Sequence, residues 1–291
     1  MGTKKNHLKT MIFGLVLLLL FLGSALQVQA ATVGTPKIKS VKTRTAECQR
    51  VIWNQVPKAS GYQVAYKAGS GSYRYKRVSG GSTTRLDILG HRPDVLYTYR
   101  VRAYRTVKKK NVYGAWSATV TGYLNKNVAI YGKNVSYETY GRFYKNQNAS
   151  YKDMRAVTVK TWDFVSGKKG AKYTRTWTIY VHKNLASTVK RAFNEIYKSP
   201  GKFPIHALGG WRYGAGRSEH YDGTAIDINP DENYQVRDGK ALVGKYWKPK
   251  KDPYSIPING EVAKILKKYG FSQGLWSKEY KDYMHFSYFG T

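Results

Sequence analysis

Cysteine is nearly absent from this chain: Cys48 is the only one in 291 residues. No intramolecular disulfide can form, so packed cores must hold the fold, and Cys48 in its strand-like setting is expected to be a small packing residue. Acidic residues are scarce, 17 against 50 Lys and Arg, which gives a formal charge of +33. Histidine is rarer still, with only His7, His91, His182, His206, His220 and His285. There is one long apolar run, near the start, and no internal repeat of useful period. The basic residues are scattered, Lys108-Lys109-Lys110 being the densest run, so no nucleic-acid motif is visible and nucleic acid is not an expected partner.

The apolar run, "MIFGLVLLLLFLGSAL", follows Lys4, Lys5 and Lys9 and precedes Val28-Gln29-Ala30, a small-residue cleavage site. Residues 1–30 are therefore expected to be a secretory signal peptide, with an uncleaved membrane anchor as the alternative. The run is short for a span of about 20 residues, and Gln27 and Gln29 close it. Either way the remainder is exported, and a secreted or cell-wall-associated location is expected. Removing the signal takes away three lysines and no acid, so the mature chain keeps 33 − 3, about +30. For an exported protein such a field attracts anionic cell-wall polymers or lipid headgroups. A generally basic proteome would give the same charge with no partner at all.

From Thr35 to Leu124 the pattern is all-β, with short runs such as "RVIWN", "GYQVAYK" and "YRYKRV" between Gly/Ser turns. In "YTYRVRAY", Tyr97, Tyr99, Val101 and Ala103 alternate with Thr98, Arg100 and Arg102, the signature of a half-buried strand. Strands at this spacing form a β-sandwich. With Trp53, Tyr62, Pro93 four residues before Tyr97, and the closing "GAWSATVTG", residues 35–124 resemble a fibronectin type III domain of the immunoglobulin-like class. The resemblance implies that Tyr97 is a tyrosine-corner residue and that the module is a spacer or wall-contact domain without catalysis. His91 departs from it, standing where the family usually has Leu.

Residues 125–153 are polar and Tyr/Asn-rich without clean periodicity, and are expected to be a linker able to dock on the C-terminal domain. From Met154 the texture becomes mixed. "RTWTIYVH" is a strand, and Asn184 is placed to cap a helix with Leu185, Val189, Ala192, Phe193, Ile196 and Tyr197 on one face. A second helix follows Asn259, with Val262, Ile265, Leu266 and Tyr269 on one side. Residues 154–291 are thus expected to form an α+β domain with a small antiparallel sheet.

The chemistry concentrates in "SEHYDGTAIDINP", residues 218–230. As a strand, "TAIDIN" turns Ile226 and Ile228 to the core and Asp227 to the opposite face, where His220 on the preceding turn can share a cation with it. Further on, "DYMHF" sets Asp282 three residues before His285. Two imidazoles and one carboxylate make a catalytic zinc set with one open position, and a second carboxylate can serve as general base. His182 has no assigned role. His206, among apolar residues, is expected to be buried structure, and Asp222 to face solvent.

Ser218-x-His220-x-x-Gly223-x-Ala225-x-Asp227, followed by Asp282-x-x-His285, resembles the zinc D-Ala-D-Ala carboxypeptidases and L-alanyl-D-glutamate endopeptidases related to VanY. "AIDINP" and "KFPIHALGGWR" are similar to the endopeptidase-like branch, and the likeness spans residues 154–291. It implies that His220, Asp227 and His285 bind Zn²⁺. Asp282 would take a proton from the zinc-activated water and deliver it to the leaving amine. Arg212 would steady the substrate carbonyl and its oxyanion, although a surface cation is the plainer reading of any arginine in so basic a chain. Ser218 would orient the first ligand turn or the substrate, and Trp211 and Tyr213 would line a groove for the peptide. Met284 departs from the family's Pro or Trp, and Ser287 from its Glu.

The expected function is that of an exported, monomeric zinc metallopeptidase acting on peptidoglycan stem peptides. Either the D-Ala-D-Ala link or the L-Ala-D-Glu link could be its target. The alternative is a zinc-containing wall-binding protein without catalysis.

Overall fold

Alternation and turn chemistry dominate the chain, and the computed structural model is accordingly mostly β, with several sheets and few helices. It describes residues 33–214 and 216–291. The expected signal peptide, residues 1–30, lies outside them. Among the described residues no helix is long and apolar enough to cross a membrane.

The first eight strands are β1 (Ile38–Thr45), β2 (Cys48–Trp53), β3 (Gly61–Ala68), β4 (Arg74–Ser79), β5 (Arg85–Leu89), β6 (Tyr97–Val107), β7 (Lys110–Tyr113) and β8 (Val120–Gly122). They build two antiparallel sheets, β1-β2-β5 and β4-β3-β6-β7, with β8 also on β6. Inward residues of both sheets, including Val51, Trp53, Tyr62, Ile88, Tyr99 and Val101, share one core. The Tyr97 hydroxyl accepts from Arg92 N at 3.0 Å, tying the β5–β6 crossover to the sheet. Cys48 is buried, and burial pushes its thiol up to about 11, so it is inert packing.

Residues 125–153 contain more order than their composition suggested. Helix α1 (Lys126–Tyr131) is capped by Asn125, whose side chain accepts from Val128 N, and α2 (Gln147–Tyr151) is capped by Asn146, which accepts from Ala149 N. Ile130 and Tyr131 belong to the second, larger core. The segment is therefore a packed part of the C-terminal structure.

The C-terminal structure continues with a hairpin of β9 (Met154–Phe164) and β10 (Lys172–His182), then α3 (Ala186–Lys198). After α3 come β11 (Leu208–Gly209), β12 (Ala225–Ile228), β13 (Asn233–Arg237), β14 (Lys240–Trp247), α4 (Glu261–Lys268), β15 (Ser272–Gly274) and β16 (Tyr280–Ser287). The last six strands form one antiparallel sheet, β11-β12-β16-β13-β14 with β15 also on β16, larger than the small sheet expected. Both helices bury the expected apolar faces, except that Tyr197 is only half-buried. Asn184 does not cap α3. Its amide donates to Ala129 O at 2.7 Å, and the N-cap position falls on Leu185.

The two cores meet through specific contacts. Buried Glu47 accepts from Ser187 and pairs with Arg191. Ala46, between β1 and β2, is buried in the larger core and donates from its backbone nitrogen to Asn184 O at 3.2 Å.

His91 in the first core and His182 at the end of β10 are both buried, and burial pushes each down to about 4. Above about pH 6.5 both are neutral folded and unfolded; below it only the unfolded chain takes up the protons. Stability is therefore complete above 6.5 and is lost as the pH falls towards 4, by on the order of 3 kcal/mol per histidine. Urea unfolding at pH 7.5 and 4.5 should show a smaller acid loss in His91→Gln and in His182→Gln than in the wild type.

Candidate metal centre

Strand β12 is buried along its whole length, with Ile226 and Ile228 in the large core and Asp227 on the other face. It pairs antiparallel with β16, Asp227 directly opposite His285 and Ile226 opposite Phe286. His220 arrives on a 3₁₀ turn, Glu219–Asp222, immediately before β12. Ser218 caps that turn, its hydroxyl accepting from His220 N at 3.3 Å. Gly223 ends it with φ at 67°, where a Cβ would collide with Met154 and with the backbone nitrogen of His182.

Three donor atoms converge. His220 Nε2 lies 3.1 Å from Asp227 Oδ1 and 3.2 Å from His285 Nδ1, and His285 Nδ1 lies 3.1 Å from Asp227 Oδ1. His220 Nδ1 contacts the Gly210 carbonyl at 2.7 Å. A carbonyl only accepts, so Nδ1 carries the hydrogen and Nε2 presents a lone pair to the cluster. At most one proton, on His285 Nδ1, can bridge this triangle of acceptors. Tetrahedral ligands at zinc distances of about 2.0–2.1 Å stand roughly 3.3 Å apart, close to these edges. Two imidazoles and a carboxylate at this spacing fit a zinc ion.

The surroundings support that charge pattern. Burial holds His220 below the usual imidazole value, against the pull of Asp227. Burial acts on His285 in the same sense, but the hydrogen bond and charge of Asp227 outweigh it and raise its pKa. Asp227 stays well below the carboxylate range, since the two imidazoles overcome the effect of its burial. Its second oxygen, Oδ2, accepts from Arg212 Nη1 at 2.9 Å.

Asp282 sits on β16 three residues before His285, a spacing that in a regular strand would face the opposite side. The pairing with β15 is irregular: Gln273 faces Phe286 while Gly274 faces Asp282. The extra residues in β16 bring Asp282 and His285 to one cavity of about 820 Å³. Asp282 Oδ1 is buried without a partner among the described residues. Burial, with the Asp227 charge in the same sense, pushes its carboxyl up to about 7.

Arg212 and Ser218 also line this cavity, but Trp211 and Tyr213 do not. Trp211 turns away, donating from Nε1 to Ser150 Oγ at 2.8 Å, and the Tyr213 hydroxyl donates to Tyr144 O at 3.3 Å. Side chains alternate along extended backbone, so neighbours of a site-facing arginine face elsewhere. Arg217, Gln235, Arg237, Trp276 and Tyr280 do line the cavity. Tyr280 and Trp276 stand close to Asp282 in sequence, while Gln235 and Arg237 carry no local motif and are brought in by strand pairing.

Two further expectations are corrected. His206 is half-buried rather than buried, its Nε2 paired with Glu232 at 2.7 Å. Asp222 is fully buried rather than solvent-facing. It accepts from the Tyr131 hydroxyl at 2.8 Å, Gly141 N at 2.7 Å and Phe143 N at 3.3 Å, so it clamps the 125–153 segment onto the turn that carries His220. Gly141 has φ at 73° and presses on the backbone of Ser218, where a Cβ has no room.

A family model described as D-alanyl-D-alanine carboxypeptidase matches residues 212–288, a stretch holding all three convergent donors and Asp282. No curated protein matches the chain. Among solved structures, one titled "Myokine structure" is similar at 15% identity and a TM-score of 0.27, over 32% of this chain and 97% of that one. The chicken CNTN1 FN1–FN3 domains are similar at 23% identity and a TM-score of 0.28, over 31% of this chain and 30% of that one. At such scores neither likeness bears on the fold.

Removing the Asp222 acceptor leaves two buried donors, the Tyr131 hydroxyl and Gly141 N, and the part-buried Phe143 N without a partner, at a cost of roughly 1–3 kcal/mol for each buried one. Asp222→Ala should lower the unfolding free energy by about 3 kcal/mol or more, and Tyr131→Phe by only about 1 kcal/mol, as read by urea denaturation.

Proposed function

We propose that the chain is an exported zinc metallopeptidase hydrolysing amide bonds of peptidoglycan stem peptides. In this reading residues 154–291 are the catalytic domain and 125–153 a docked connecting segment. Residues 35–124 are a fibronectin type III-like module that holds the enzyme near an anionic wall. One observation carries the proposal: His220 Nε2, Asp227 Oδ1 and His285 Nδ1 converge, and both histidines line the cavity that also holds the buried, incompletely paired Asp282. The family match over residues 212–288 supports the peptidase class.

His220, Asp227 and His285 would hold the ion. Bound there, zinc supplies Lewis acidity to the scissile carbonyl and lowers the pKa of the attacking water. Asp282 accepts a proton from that water as it adds to the carbonyl carbon. The same carboxyl, held up to about 7 by burial, then gives the proton to the leaving nitrogen. Arg212 engages Asp227 through Nη1 and keeps its other N–H donors, which can take the carbonyl oxygen as negative charge builds on it. Ser218 fixes the turn that presents His220.

The cavity is an open cleft with basic walls, suited to a peptide carrying carboxylates. Both the D-Ala-D-Ala and the L-Ala-D-Glu bond meet that description. Mass spectrometry of muropeptides digested with the zinc-loaded protein names the bond cut, and unchanged muropeptides would sink the proposal. Asp282→Ala should retain about one zinc per chain while losing at least roughly 100-fold in hydrolysis. Full activity in that variant would remove Asp282 from the mechanism.

A further inference from the structure

Three arginines reach the cleft, and each guanidinium is engaged differently. Arg212 holds Asp227. Arg217 donates from Nε to Tyr140 O at 3.0 Å and from Nη2 to Tyr137 O at 2.8 Å. Arg237 meets no carboxylate or carbonyl among the described residues. It is held by stacking, its guanidinium 4.0 Å from the centre of the Tyr280 ring. The Tyr280 hydroxyl accepts from Gln235 Nε2 at 2.8 Å, and the ring packs on Trp276 at 4.7 Å. Stacking fixes the plane of the guanidinium and leaves its N–H edge open to a ligand.

Strand register says where that edge stands. Strands β13 and β16 pair with Arg237 opposite Tyr280 and Gln235 opposite Asp282. Residues two apart share a face, so these four side chains form one patch, and all four line the cleft. In the proposed reaction Asp282 returns its proton to the leaving amine. Arg237, one residue pair away, stands on the leaving-group side.

The two candidate bonds share one chemical feature on that side. In D-Ala-D-Ala the departing residue carries its free α-carboxylate. In a stem peptide D-Glu is joined onward through its side-chain carboxyl, so its α-carboxylate is free as well. In both, the carboxylate sits one carbon from the leaving nitrogen. We propose that Arg237, stacked on Tyr280, binds this free α-carboxylate and is a specificity-determining residue of the cleft for either bond. The proposal rests on the peptidase reading above.

The test uses the zinc-loaded full chain and two pairs of synthetic peptides. One pair carries D-Glu with a free α-carboxylate or as the α-carboxamide; the other ends in D-Ala-D-Ala or its C-terminal amide. For the bond it cuts, the wild type should prefer the carboxylate by about 10- to 100-fold in kcat/KM, mostly through KM, as one charge-assisted contact supplies. Arg237→Met should bring the ratio near one, Arg237→Lys should restore part of it, and Arg217→Met should keep it. Equal cleavage of acid and amide by the wild type overturns the inference, as does a ratio preserved in Arg237→Met. Should Arg237→Met lose its zinc or its fold, Tyr280→Leu decides: removing the platform must lower the ratio, and an unchanged ratio overturns the proposal. If the wild type cleaves none of the four peptides, the peptidase reading fails and this inference goes with it.

Discussion

The pairing of two strands, with Asp227 opposite His285, is the constraint on which the site depends. Ile226, Ile228, Phe286 and Tyr288 are fully buried in the large core on the far side of those strands. Their burial contributes on the order of 10 kcal/mol, counted from an extended chain and so an upper bound. A slip of one residue would turn this apolar set out and Asp227 in, so the core fixes the register. The convergence of the Asp227 and His285 donors follows from hydrophobic packing, and the proposed metal would need only to complete it. His220 is added by a turn whose geometry is set separately, by the Ser218 cap, Gly223 and the Asp222 clamp.

Asp282, the base of the proposed reaction, shows what it takes to place a carboxyl next to such a cluster. Regular pairing would have put it and His285 on opposite faces, and the irregular register against β15 removes that conflict. The position is costly for a carboxylate, since it is buried beside another acid and one oxygen lacks a partner. That cost raises its affinity for a proton towards neutrality, which is what a group that must both accept and release one requires.

Much of this was legible in the sequence, for physical reasons. The alternation around Asp227 and the short spacings of "SEHYDG" and "DYMH" are local, and local patterns survive translation into structure. The buried faces of α3 and α4 were legible for the same reason. What escaped depended on contacts between distant segments. Residues 125–153 showed no periodicity because their helices are five and six residues long and held by side-chain caps and by Asp222. Asn184 had the right chemistry for a cap but found a better acceptor in Ala129, which no reading of its neighbours could supply. Trp211 and Tyr213 were grouped with Arg212 by adjacency, whereas Arg237 and Gln235 enter the cleft only because β13 pairs with β16.

The scarcity of acids, first a mere compositional fact, acquires a structural meaning. Seven acids among the described residues are buried: Glu47, Asp163, Glu219, Asp222, Asp227, Glu232 and Asp282. Six act as cross-links with both oxygens engaged. Glu47 joins the two cores through Ser187 and Arg191. Asp163 holds Tyr254 and Arg175, and Glu232 holds Lys168 and His206. Glu219 gathers Thr224, Phe289 and Thr291, Asp222 clamps three donors, and Asp227 faces two imidazoles and Arg212. In a chain without disulfides these carboxylates are the long-range ties, and their withdrawal inside leaves 17 − 7, ten acids, outside the buried set. Asp282 alone among them keeps an oxygen without a partner. A buried acid that ties nothing with that oxygen, where each of the other six does, is the one whose environment suits the proton transfer proposed for it.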